Sequence, residues 1–124
     1  MGEMDKSKIL IIDDDPVCTG VLLAILGDDY DVTTANSGSG GIDILSSQTP
    51  DLILLDITMP EVNGYQVLKF LQEDPSRIDI PVVVISTLVE SSDQEFAIKL
   101  GADDYVNKPI MPNVIQEKLE KYLR

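Results

Sequence analysis

The chain is 124 residues long, with 22 acidic against 9 basic residues, a formal net charge of −13, 44% hydrophobic and 25% charged residues. That length sets one domain with room for its own core, and the composition excludes a mostly disordered chain. The charge argues against direct binding to nucleic acid or to an anionic membrane, which both need Lys and Arg to neutralise phosphates.

There is no histidine and a single cysteine, Cys18. Internal disulfides, zinc clusters, imidazole catalysis and a phosphohistidine on this chain are thereby excluded. The apolar runs are far shorter than a membrane span. The first residues lack the apolar stretch of a signal peptide, and Lys6 stands where myristoylation needs Ser or Thr. The expectation is a cytoplasmic domain spanning 1–124, with 1–7 as a flexible N-terminus.

The first apolar run, Ile9-Leu10-Ile11-Ile12, is continuous rather than alternating, as a strand buried on both faces requires. Asp15 caps the helix that follows, with Pro16 at its first position. Val17, Val21, Leu22, Ile25 and Leu26 repeat with helical period there until Gly27 stops them. A weaker strand over Tyr30–Ala35 leads to a helix at roughly Gly40–Ser47. The second continuous run, Leu52-Ile53-Leu54-Leu55, precedes a helix carrying Tyr65, Leu68 and Leu71. The third, Val82-Val83-Val84-Ile85, precedes one with Phe96, Ala97 and Leu100, closed by Gly101. Asp103–Val106 and a helix over Pro112–Leu123 complete five β-α units. Such alternation predicts a doubly wound α/β sandwich: a parallel five-stranded sheet with helices on both faces.

In an open parallel sheet, ligands bind beyond the carboxyl ends of the strands. Asp13, Asp14 and Asp15 follow the first strand, Asn36 and Ser37 the second, and Asp56 the third. Ser86 and Thr87 follow the fourth, and Asn107, Lys108 and Pro109 the fifth. If the first and third strands are neighbours, Asp13, Asp14 and Asp56 converge. Clustered carboxylates repel unless protonated or bound to a cation, and an oxygen-only, incomplete shell suits Mg²⁺ or Mn²⁺. A carboxylate beside such a cation can act as a nucleophile toward phosphorus. Lys108 would supply a fixed positive charge and Ser86 a hydroxyl donor. Singly, each of these residues reads as a turn, cap or surface ion pair, and Cys18 as a half-buried helix residue without chemistry. The joint arrangement carries the inference.

Ile11-Ile12-Asp13-Asp14-Asp15, Leu54-Leu55-Asp56-Ile57-Thr58-Met59-Pro60 with Gly64, Val84-Ile85-Ser86-Thr87 and Gly101-Ala102-Asp103-Asp104-Tyr105-Val106-Asn107-Lys108-Pro109 together resemble the receiver domain of two-component response regulators, from Lys8 to Leu123. The resemblance implies a flavodoxin-like sheet of strand order 2-1-3-4-5 and a regulatory phosphoacceptor rather than an enzyme with turnover. It implies that Asp56 accepts a phosphoryl group from a sensor histidine kinase or histidine phosphotransfer domain. Asp14 would bind Mg²⁺ directly, Asp13 mainly through water, and Thr58 through its backbone carbonyl. Lys108 would contact Asp56 or its phosphate, with a cis Lys108-Pro109 bond. Ser86 would swing toward the phosphate and Tyr105 turn inward, altering the face formed by the fourth helix, fifth strand and fifth helix. A downstream protein or effector domain, and phosphorylation-dependent homodimerisation, are the partners this implies.

Two departures stand out. Thr87 replaces a frequent alanine and would narrow access to the phosphate. Leu88 and Thr58 occupy positions thought to tune hydrolysis, and an apolar Leu88 predicts slow loss of phosphate. Three rivals are weighed. A haloacid-dehalogenase-type phosphatase would need an acid where Thr58 stands. A nucleotide-binding loop at Gly38-Ser39-Gly40-Gly41-Ile42-Asp43 lacks its third glycine, and Asp43 would repel a pyrophosphate. A receiver-like module that binds partners without phosphorylation would not need the full acceptor set.

Overall fold

The three continuous apolar runs become the three central strands of the sheet. A computed structural model describes residues 6–88 and 90–123. Among these, β1 (Lys8–Ile12), β2 (Asp31–Ala35), β3 (Leu52–Asp56), β4 (Val82–Ser86) and β5 (Asp104–Asn107) alternate with five helices. The helices are α1 (Pro16–Leu26), α2 (Gly38–Leu45), α3 (Gly64–Gln72), α4 (Ser91–Lys99) and α5 (Pro112–Tyr122). Every strand pair is parallel, and the order is β2-β1-β3-β4-β5, as the family resemblance implies. The expected flexible N-terminus falls largely on 1–5, outside the described residues, while the Ser7 carbonyl accepts from Asp31 N–H at 2.9 Å.

Successive strand residues face opposite sides of the sheet, so each run feeds two cores. Leu10, Ile12, Ile53, Leu55 and Val84 pack with Leu45, Val67, Leu68, Leu71 and Ala97 from α2, α3 and α4. Ile9, Ile11, Leu52, Leu54, Val83 and Ile85 pack with Cys18, Leu22, Leu26, Ile115 and Leu119 from α1 and α5. Each fully buried aliphatic side chain contributes about 1.5–3 kcal/mol relative to exposure. Helices on both faces leave only the sheet's ends for a ligand.

Several elements differ from the sequence reading. The buried stripe of α1 is Cys18, Leu22 and Leu26, whereas Val17 is 73% and Val21 39% exposed. Cys18, expected half-buried, is buried. Phe96 is exposed on α4, its ring edge-on to Tyr65 with centroids 4.8 Å apart. Helix α2 starts two residues earlier than expected because Ser37 Oγ accepts from Gly40 N–H at 3.0 Å and caps it. Its glycines serve packing: a Cβ on Gly41 would lie 2.5 Å from Ile12 Cδ1. Gly101, at φ +116°, follows α4 in a conformation that L side chains rarely adopt, so it closes the helix as expected.

Candidate functional site

The parallel sheet brings the carboxyl ends of β1, β3, β4 and β5 to one rim. Asp13 directly follows β1; its N–H donates to Ala35 O at 3.0 Å and its Oδ1 accepts from Asp15 N–H at 2.9 Å. Asp15 in turn caps α1, accepting from Val17 N–H at 3.0 Å, with Pro16 at the first helical turn. Asp56 is the last residue of β3 itself, not the residue after it. Asp13 and Asp56 are buried and Asp14 is exposed, yet one carboxylate oxygen from each lies within 4.8 Å of the others.

Lys108 enters from beyond β5, on the far side of β4. Its backbone N–H donates to Ser86 O at 2.8 Å, and the Lys108-Pro109 peptide is cis. Its Nζ lies 3.0 Å from Asp13 Oδ2 and 3.7 Å from Asp56 Oδ1. The lysine therefore lies between two carboxylates, with Asp13 its nearer partner.

Three carboxylates against one lysine leave the rim underneutralised. Burial, then the charge of Asp13, push the Asp56 carboxyl from 3.8 to about 7, with Lys108 opposing and Asp14 adding. Burial works against the Lys108 ammonium, but Asp13 and Asp56 outweigh it and hold its pKa above the ordinary value. The Cys18 thiol beside Asp13 is pushed up to about 12 by burial and by that carboxylate, so it stays protonated. Asp13 Oδ2 is buried and accepts no hydrogen bond among the described residues, its contact with Lys108 being an unaligned ion pair. A buried carboxylate oxygen met only by one ammonium, beside two more carboxylates, fits a hard divalent cation.

Ser86 is the last residue of β4, fully buried, and its Oγ accepts from Leu88 N–H at 3.0 Å. An accepting hydroxyl keeps its hydrogen for another partner. Tyr105 is half-buried, and its hydroxyl donates to Leu88 O at 2.9 Å. Thr58, two residues past Asp56, and Thr87 are exposed. Two further residues frame the site. Gly64 N–H donates to Ile57 O at 2.9 Å, and a Cβ on Gly64 would meet Asp56 O at 2.4 Å. Asn107 Nδ2 donates to Leu88 O at 2.9 Å. The sequence places Asn107 on the rim but gives it no role, because its partner is a backbone carbonyl.

A doubly wound parallel sheet with an acidic, cation-fitting pocket and one lysine at its carboxyl rim defines a flavodoxin-like acidic-site domain. The family model described as "Response regulator receiver domain" matches residues 9–120, and the chain belongs to that family, whose members act in two-component signalling. It is 36% identical over 124 residues to the "Probable transcriptional regulator ycf27" of Porphyridium aerugineum, covering 98% of this chain and 50% of that protein. Among solved structures, a putative response regulator from Chloroflexus aurantiacus superposes with a TM-score of 0.91 at 26% identity, covering 96% of this chain and 98% of the other. The phosphorylated cyanobacterial phytochrome response regulator RcpA superposes at 0.87 with 26% identity, covering 95% and 94%. The chain spans about half the length of the ycf27 regulators it matches.

Proposed function

We propose that residues 1–124 form a single receiver domain in which Asp56 accepts a phosphoryl group from a phosphohistidine on a sensor histidine kinase or histidine phosphotransfer domain. One Asp56 oxygen forms the new O–P bond, the P–N bond to the donor's imidazole breaks, and the imidazole keeps the electron pair and takes a proton. Asp13, Asp14, Asp56 and the Thr58 carbonyl would hold Mg²⁺, or Mn²⁺. That cation, when bound, neutralises carboxylate charge and favours the ionised, nucleophilic form of Asp56. Lys108 Nζ, 3.7 Å from Asp56 Oδ1, stabilises charge on the transferred group. The Ser86 hydroxyl donates to a phosphoryl oxygen once one is present. Ser86 and Tyr105 then carry the change to the face of α4, β5 and α5.

The observation that carries this reading is the convergence of Asp13, Asp14 and Asp56, with Lys108 Nζ 3.0 Å from Asp13 and 3.7 Å from Asp56. Its output passes to a downstream protein or effector domain, with homodimerisation on phosphorylation as one route. Among the described residues no helix is long and apolar enough to cross a membrane. The test is incubation with acetyl phosphate and Mg²⁺ followed by intact-mass measurement. A gain of one phosphoryl group, stable in acid, labile in base and lost in Asp56→Asn, supports the reading. No gain in the parent chain overturns it and favours an interaction module that works unphosphorylated.

A further inference from the structure

Three hydrogen bonds meet on one residue of the β4–α4 loop. Leu88 N–H donates to Ser86 Oγ at 3.0 Å, and Leu88 O accepts from both Tyr105 Oη and Asn107 Nδ2 at 2.9 Å each. The double acceptance is within the capacity of a carbonyl's two lone pairs. Strand geometry explains it. Tyr105 and Asn107 are two apart on β5, so their side chains share a face, while Val106 between them turns into the opposite core. Asn107 also lies opposite Ser86 in the β4–β5 ladder.

Besides these bonds, the half-buried Leu88 side chain packs against the core beneath α2, α3 and α4. Helix α4, which begins at Ser91, buries only Ala97, and its N-cap Glu90 makes no side-chain capping bond among the described residues. The position of the Ser86 hydroxyl, the donor aimed at a phosphoryl oxygen, thus depends on how firmly Leu88 is held. We propose that Asn107 is a positioning residue for the phosphoryl site. By donating to the Leu88 carbonyl beside Tyr105, it stabilises the inward arrangement of Tyr105 and the placement of Ser86. It thereby raises the affinity of the site for a phosphoryl group. This rests on the phosphoacceptor reading above and extends it to a residue that touches neither Asp56 nor a phosphate.

The test uses beryllium fluoride with Mg²⁺ as a phosphoryl mimic on four proteins: the parent chain, Asn107→Ala, Tyr105→Phe and the double variant. Loss of one exposed hydrogen bond weakens binding by about threefold in Asn107→Ala. In the Tyr105→Phe background the same change weakens it further, because it then removes the last donor to the shared carbonyl. In parallel, ¹⁹F spectra of 3-fluorotyrosine-labelled protein report Tyr105 through the one of four tyrosine lines that Tyr105→Phe removes. In Asn107→Ala its line moves toward the solvent-exposed position even without the mimic. Asn107 is exposed, so truncating it leaves no core cavity, and unchanged melting shows that folding is intact. An unmoved Tyr105 line, unchanged affinity, or the same fold-loss in both backgrounds overturns the proposal. Failure of the parent chain itself to bind the mimic overturns the phosphoacceptor reading and, with it, this role for Asn107. A moved Tyr105 line would then still show the hydrogen bond at work.

Discussion

Asp56→Asn exchanges one oxygen for one nitrogen at a position only 3% exposed, removing a charge while keeping the shape. In a chelator, this variant should be more stable than the parent protein. The Asp56 carboxyl is raised from 3.8 to about 7 by burial and by Asp13. At ~1.36 kcal/mol per pH unit, that rise sets an upper bound of about 4 kcal/mol on the cost of ionising it in the folded state. The amide gives up its attraction to Lys108 and needs hydrogen-bond partners of its own, so a gain of about 1–3 kcal/mol is expected. Because the folded pKa lies above the unfolded one, the penalty is absent below about pH 4, where both states are protonated. Stability of the parent falls as pH rises from there to about 7, where the folded group has also ionised, and the deficit is then constant. Urea denaturation followed by circular dichroism at pH 4 and pH 8 measures the difference. Millimolar Mg²⁺ should shrink the gap at pH 8 by binding the folded parent. Equal stability at pH 8 in chelator, or an equal gain at both pH values, would refute the electrostatic account of the site.

Gly64→Ala places a Cβ 2.4 Å from Asp56 O and 2.7 Å from Ile57 Cα, both backbone. A loss of about 3 kcal/mol in chemical denaturation is expected. Asp104 is pushed up by burial but held below the ordinary carboxylate value by Tyr105 N–H, Lys118 at 3.0 Å and the Tyr122 hydroxyl at 3.0 Å. Its stabilisation is therefore present above the unfolded value of about 3.9 and lost as pH falls below it. Asp104→Asn should cost about 1 kcal/mol at pH 7 and progressively less as pH falls below about 4, measured by denaturation across that range. Leu88→Glu should shorten the lifetime of the phosphorylated form several-fold, since a carboxylate orders an attacking water better than an apolar side chain; release of phosphate with time is the measure, and an unchanged lifetime argues against that role.

Strands β1, β3 and β4 could be read directly because burial on both faces writes itself as unbroken aliphatic runs. The acidic rim followed from them, since strand ends are fixed once the strands are. The helix faces were harder. Val17 and Phe96 satisfy a 3.6-residue spacing as well as Leu22 and Ala97 do, and period alone does not say which side meets the sheet. The Ser37 cap was missed because the glycines after it look like a loop until Ile12 is seen to need the space. That Lys108 sits closer to Asp13 than to Asp56 depends on the depth of the pocket, which no spacing encodes. The meeting at Leu88 was invisible because one side of every bond there is main chain.

The ion pair between Asp13 and Lys108 joins the residues that directly follow the first and last strands of the chain. A folding intermediate in which β5 has not yet docked on β4 would hold the crowded acids without their lysine. Such a species gains least where the carboxylates crowd, so the charge at the rim is offset only once both ends of the chain have joined the sheet.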